Sequence, residues 1–175
     1  GKKHFISRVG VFKTGLLDRV VRDLNKIDCT PELVRLPTFP IHTANNWQIQ
    51  DFKYYDYQEE LILKGINRKR GIIKSPTGSG KTLIMAGLVK ALAGRKMVLL
   101  FNAKQLLKQT YDFFTKDCRL DNIGICFGEG YIDGDIMLCT VQSIERILDT
   151  HLKEAKVLMV DECHEFANGK TTLAA

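Results

Sequence analysis

The stretch GIIKSPTGSGKTLIMAGLVKALAG, residues 71–94, decides the fold. A short β-branched run, Ile72–Ile73, enters a loop of proline, serine and glycine. An apolar run at helical spacing follows, from Lys81 to Ala93, and Gly94 stops it. Strand, glycine loop and helix in that order are the setting in which a backbone cradles phosphate. Gly78 and Gly80 open backbone angles closed to other residues, so that successive N–H groups turn onto an anion. The positive end of the helix dipole adds to the attraction. The phosphate-binding candidates are therefore Ser75, Pro76, Thr77, Gly78, Ser79, Gly80, Lys81 and Thr82. Lys81 is placed to reach the β- and γ-phosphates, and the Thr82 hydroxyl to ligate Mg²⁺. The strict pattern G-x-x-x-x-G-K-[ST] has glycine where this chain has Ser75, a small residue that the loop accommodates.

Working outward, the apolar runs KMVLLF (96–101), NIGICF (122–127), DIMLCT (135–140) and KVLMV (156–160) read as strands. Helices are expected over 104–115 and 143–150. Strands apolar throughout, alternating with helices, predict an α/β fold with a parallel sheet covered on both faces. Upstream, Asp56 with Glu59 has the spacing of a capping box opening the helix YQEELILKGI. DECH follows the last strand directly, so Asp161 projects from the carboxyl edge of the sheet, where the phosphate loop also lies. There it is suited to hold Mg²⁺ through water, with Glu162 as the general base that orients an attacking water. Cys163 and His164 are neighbours that point apart at a strand exit, so they are not a metal pair, and no zinc is expected.

The bulk numbers agree. A chain of 175 residues with 45% hydrophobic and 26% charged residues builds one sizeable core, or a core with a small appendage. No apolar run approaches the roughly 18–20 residues that span a bilayer, and no secretion signal is evident. Five cysteines without a C-x-x-C pair fit a reducing, intracellular setting. The net charge of +6 favours a polyanionic partner.

Residues 1–48 read as a small β-α-β domain ahead of the main domain at 49–175. A strand FISRVGVF, a helix capped by Thr14 and a short strand PELVRLP lead into the proline-marked LPTFPIHTANNW. Residues 1–50 hold eight Lys/Arg against four Asp/Glu. Two readings stay open: a solvated face that packs on the main domain, or a nucleic-acid grip with phosphate contacts from residues such as Lys13 and Arg19.

Together, SPTGSGKT and DECH resemble superfamily 2 helicases, whose second motif reads D-E-x-H. The resemblance implies a RecA-like motor domain that uses ATP with Mg²⁺. Tyr57–Gln58 resembles the family's aromatic–Gln adenine-recognition element, which implies that Gln58 hydrogen-bonds the adenine. FNAKQLLKQ resembles motif Ia, with Leu106 and Gln109 matching, and CTVQSI resembles motif Ib, with Thr140, Gln142 and Ser143 matching; the nucleic-acid contacts that this implies are Asn102, Gln109, Thr140, Gln142 and Ser143. In the family both segments touch the nucleic-acid backbone. Motif Ia usually carries Pro-Thr where this chain has Asn102–Ala103, and an arginine is often found where Tyr55 stands. With a small basic domain in front, the run is most similar to phage UvsW-type helicases, which remodel branched DNA. That implies a DNA partner with forked or branched arms. A duplex translocase of the restriction-enzyme kind, and a nucleic-acid-binding module with an inactive nucleotide site, remain alternatives.

In that fold a further strand, carrying motif III, lies between the phosphate-loop strand and the D-E-x-H strand. Without it, the two would stand about 9.5 Å apart with unpaired backbone groups. The chain is therefore expected to be the front part of a longer motor, with a second RecA-like domain supplying an arginine to the site.

Overall fold

The computed structural model describes residues 46–163 except Lys69, together with Arg22, Asn25 and Lys26. The chain divides into two units, Gly1–Pro40 and Ile41–Ala175. The expected β-α-β elements, Lys13, Arg19 and His164 lie outside the described residues.

Among the described residues from 46 onward, two helices come first, α1 (Asp56–Arg68) and α2 (Lys81–Ala91). Then follow β1 (Met97–Phe101), α3 (Lys104–Asp112), β2 (Ile123–Phe127), β3 (Gly130–Ile132), β4 (Ile136–Thr140) and β5 (Val157–Val160). The sheet order is β3-β2-β4-β1-β5. Every pairing is parallel except β2 with β3, a short antiparallel hairpin at the edge that the sequence did not announce.

Side chains alternate across the sheet and both faces are buried. Met97, Leu99 and Phe101 pack with Ile62, Ile84 and Leu107 of the three helices. Val98 and Leu100 face the other way, against Cys126, Met137, Cys139 and Ile147. The expected helix over 143–150 is instead a 3₁₀ segment, Val141–Ile147, running into a π-helical turn, Leu148–Leu152. The helix over 104–115 likewise ends in a π-helical turn, Phe113–Asp117. Among the described residues no helix is long and apolar enough to cross a membrane.

Two local expectations need correction. The N-terminus of α1 is not capped by an Asp56–Glu59 box. The Gln58 side chain reaches back instead, its Oε1 accepting from the Tyr55 N–H at 3.0 Å, while the Tyr55 carbonyl accepts from the Gln58 N–H at 2.8 Å. That is the reciprocal half of a capping box shifted by one residue, with Tyr55 at the cap position. The run GIIK is not a strand either: residues 71–76 carry no ladder pairing, and Ile72 is 81% exposed. Ile72 and Ile73 have the right propensity, but a strand exists only through its neighbour. Among the described residues β5 ends the sheet on this side, with Leu158 55% exposed.

Candidate nucleotide site

The phosphate loop is held in shape by its own serines. Ser75 Oγ lies 2.5 Å from Ser79 Oγ, and Ser79 Oγ donates to the Pro76 carbonyl at 2.6 Å. The serine that replaces glycine at the head of the motif therefore clips the loop shut. Gly78 and Gly80 have φ of +78° and +76°, the left-handed region that glycine enters without strain. Gly80 caps α2, and its carbonyl accepts from the N–H groups of Leu83 and Ile84 at 3.0 and 3.1 Å. No side chain caps α2, so none competes with an anion for the first-turn N–H groups. Lys81 and Thr82 are half-buried in that first turn, whereas Pro76 and Thr77 are exposed.

The D-E-x-H end meets this loop. The Asp161 N–H donates to the Leu100 carbonyl at 2.9 Å, carrying the β1–β5 ladder one residue beyond the strand. Glu162 then takes φ of +49°, an uncommon angle for a side-chain-bearing residue, which turns the chain sharply at the strand exit. Its Oε1 accepts from Lys81 Nζ at 2.8 Å. The hydrogen bond from Glu162 holds the Lys81 ammonium above the usual lysine range, with the Glu162 and Asp161 charges adding to it against the opposing effect of burial. Lys81, in the first turn of α2, thus meets Glu162 at the exit of β5. Thr82 and Asp161 are the residues suited to Mg²⁺. Among the described residues no group of three or more His, Cys, Asp or Glu gathers there or elsewhere.

Tyr57 and Gln58 lie against the phosphate loop. Tyr57 Oη donates to the Ser79 carbonyl at 2.8 Å, and Gln58 Nε2 donates to the same oxygen at 2.9 Å. Gln58 is 3% exposed, so its amide is spent inside the protein, between the loop and the α1 cap.

The residues resembling motifs Ia and Ib separate into two groups. Gln109 and Gln142 are exposed, Asn102 is half-buried, and Gln142 Nε2 donates to the Asn102 carbonyl at 3.5 Å. Thr140 and Ser143 are buried: Thr140 Oγ1 donates to Ser143 Oγ at 3.1 Å, which in turn accepts from the Gly128 N–H at 3.0 Å. Those hydroxyls fasten the β2–β3 turn and do not face solvent. Around that turn lie side chains that the motif reading missed. Lys104 and Lys108 sit over the Phe127 ring at 4.7 and 5.0 Å, and Arg146 sits over Tyr131 at 5.8 Å while donating to the Gly128 carbonyl. Lys104 and Lys108, four apart on one helix, were the available signal.

Comparison with known proteins identifies the family of this fold. The family described as "Type III restriction enzyme, res subunit" matches residues 51–174. The ATP-dependent RNA helicase DHX58 of Mus musculus is 31% identical over 129 residues, covering 62% of this chain and 19% of that protein. The chloroplastic DExH-box ATP-dependent RNA helicase DExH15 of Arabidopsis thaliana is 28% identical over 129 residues, covering 66% of this chain and 11% of that protein. Among solved structures, a nuclease-deletion mutant of the Type ISP restriction-modification enzyme LlaGI, in complex with a DNA substrate mimic, aligns with a TM-score of 0.54 at 21% identity. It covers 69% of this chain and 16% of that one, and shows the fold alone. The chain spans a fifth or less of the length of each of these proteins. Residues 51–174 place this chain in the family of type III restriction enzyme res subunits, a family of helicase-type, ATP-dependent nucleic-acid motors.

Proposed function

We propose that this chain is the nucleotide-binding portion of an ATP-dependent DNA motor acting on forked or branched DNA, in the manner of UvsW-type helicases. The observation that carries the reading is the 2.8 Å contact between Lys81 Nζ and Glu162 Oε1, which brings the phosphate-binding and water-activating candidates to one point. The loop N–H groups and Lys81 bind the triphosphate tail. Thr82 and Asp161 would hold Mg²⁺, which would supply neutralisation of phosphate charge. Glu162, released from Lys81 as phosphate takes its place, accepts the proton of the attacking water. Gln109, Gln142 and Asn102, together with Lys104, Lys108 and Arg146, form the face offered to the nucleic-acid backbone. A second RecA-like domain delivers the arginine that completes the site, and the basic residues 1–48 grip duplex arms. The relatives named as RNA helicases make RNA the second candidate substrate.

ATP turnover with single-stranded, duplex and forked DNA, and with RNA of the same sequences, tests this. Forked DNA should stimulate most. Preferential stimulation by RNA would refute the DNA assignment, and stimulation by duplex without strand separation would favour a translocase. Turnover of several per second by the isolated chain would remove the need for a second domain.

A further inference from the structure

Ser79 is fixed from several directions at once. Its N–H and its hydroxyl both donate to the Pro76 carbonyl, at 3.3 and 2.6 Å. Its own carbonyl accepts from Tyr57 Oη and Gln58 Nε2 of α1. Because the Ser79 hydroxyl proton is committed to Pro76, the 2.5 Å contact with Ser75 Oγ has Ser75 donating. Both serines are half-buried, and the bonds among residues 75, 76 and 79 close the loop on itself.

A phosphate cradle works by turning backbone N–H groups onto the anion. The Ser79 N–H points instead at a carbonyl oxygen, with which an incoming phosphate has to compete. Freeing that N–H opens the turn from Pro76 to Ser79 and draws the two hydroxyls apart. The neighbours set where the chain can give. Tyr57 and Gln58 anchor the Ser79 carbonyl, whereas Gly78 has φ of +78° and nothing within 4 Å of a Cβ built on it. Gly78 is therefore the pivot, unhindered and permissive in its dihedrals. Ser75 stands where the strict pattern has glycine, so its share of the closure belongs to this chain and not to the motif.

We propose that the Ser75 and Ser79 hydroxyls form a latch across the phosphate loop, which a triphosphate opens as it binds and which lowers the affinity of the site for nucleotide. This rests on the reading of residues 75–82 as a triphosphate site. A site that is open for only a fraction of the time binds with its affinity reduced by that fraction. One hydrogen bond of ordinary net strength shifts such a balance by about three- to tenfold. Ser75 is a positioning residue on this account: it acts on the ligand through Ser79.

Calorimetric titration of inorganic tripolyphosphate and ATP against the chain and its Ser75→Ala, Ser79→Ala, doubly substituted and Lys81→Ala variants tests this. Ser75→Ala should bind both ligands about three- to tenfold more tightly than the parent, a gain that a damaged fold cannot produce. Ser79→Ala should bind at least as tightly as Ser75→Ala, since it removes both hydroxyl bonds. The double variant should bind no more tightly than Ser79→Ala, because the two hydroxyls act as one unit. Unchanged or weaker binding in Ser75→Ala would overturn the proposal, and so would gains that simply multiply in the double variant. Lys81→Ala should weaken tripolyphosphate binding. Failure of tripolyphosphate to bind the parent, or its indifference to Lys81→Ala, would overturn the phosphate-site reading itself and the latch with it.

Discussion

A Cβ built on Gly80 would lie 2.5 Å from Gln58 Nε2, so the loop and the first turn of α1 are in closest approach where Gly80 also needs φ of +76°. At Gly78, with φ of +78°, nothing lies within 4 Å of such a Cβ. Gly78→Ala should therefore cost only the left-handed backbone penalty, about 1–2 kcal/mol. Gly80→Ala should cost more and should also loosen nucleotide binding. Adding Gln58→Ala to Gly80→Ala should recover the steric part alone. Urea denaturation of the parent chain and these three variants checks this, and equal costs at the two glycines would refute it.

Lys81 and Glu162 are 31% and 34% exposed, so their ion pair is worth at most about 1 kcal/mol. Phosphate binding breaks it at little expense. Glu162→Gln should accordingly leave ATP affinity unchanged, or tighter by up to about fivefold, while turnover falls by about 10²-fold or more. Lys81→Ala should weaken binding itself. Kd and single-turnover rates measured side by side separate the two effects. A parallel loss of binding and turnover in Glu162→Gln would remove it from the role of base.

Burial pushes the Cys118 thiol up to about 12, and burial pushes the Cys139 thiol up further, with Cys126 adding to it. In the unfolded chain such thiols ionise near their ordinary value of 9.0. Above that pH the unfolded state sheds protons that the native state keeps, so stability falls with rising pH between about 9 and 12. Melting temperature should decline over that range, and the decline should be shallower in Cys118→Ala. Among the described cysteines only Cys163 is exposed, and iodoacetamide followed by mass spectrometry should label it first at pH 8.

Ser143 and Gln142 are adjacent yet should respond unequally to truncation. Ser143→Ala strands the Gly128 N–H and the Thr140 hydroxyl, at a cost of about 1–3 kcal/mol. Gln142→Ala, at an exposed position, should change stability by less than about 0.5 kcal/mol. Lys104→Ala and Lys108→Ala should each lower the salt dependence of DNA binding by about one counterion, which anisotropy titrations at several salt concentrations would detect.

The central strands were legible because they are apolar on both faces, as Val98 and Leu99 show by packing into opposite layers. β3 was not, since Gly130, Tyr131 and Ile132 are too few and too exposed to carry a pattern. Ile72–Ile73 misled because β-branching reports fitness for a sheet and says nothing of whether a neighbour is there to pair with. The cap at Tyr55 was hidden because the bonding side chain belongs to Gln58, three residues later. In the site, the glycine loop was readable from its own residues, and the acid pair from its place directly after a strand. CTVQSI was harder: Thr140, Gln142 and Ser143 look equally polar on paper, and only the three-dimensional structure separates the two that bond inward from the one that faces out.

Eighty-one positions separate Lys81 from Glu162 along the chain, and the five strands of the described residues lie between them. Their meeting closes a long loop, an entropic cost repaid only after the intervening strands have paired. The lysine side of the site can exist early, but its acidic half arrives with the last strand. A half-built intermediate thus has no complete pocket to reward. A ligand that needs both halves can slow unfolding but cannot hasten folding, which makes nucleotide protection a test of whether assembly has finished.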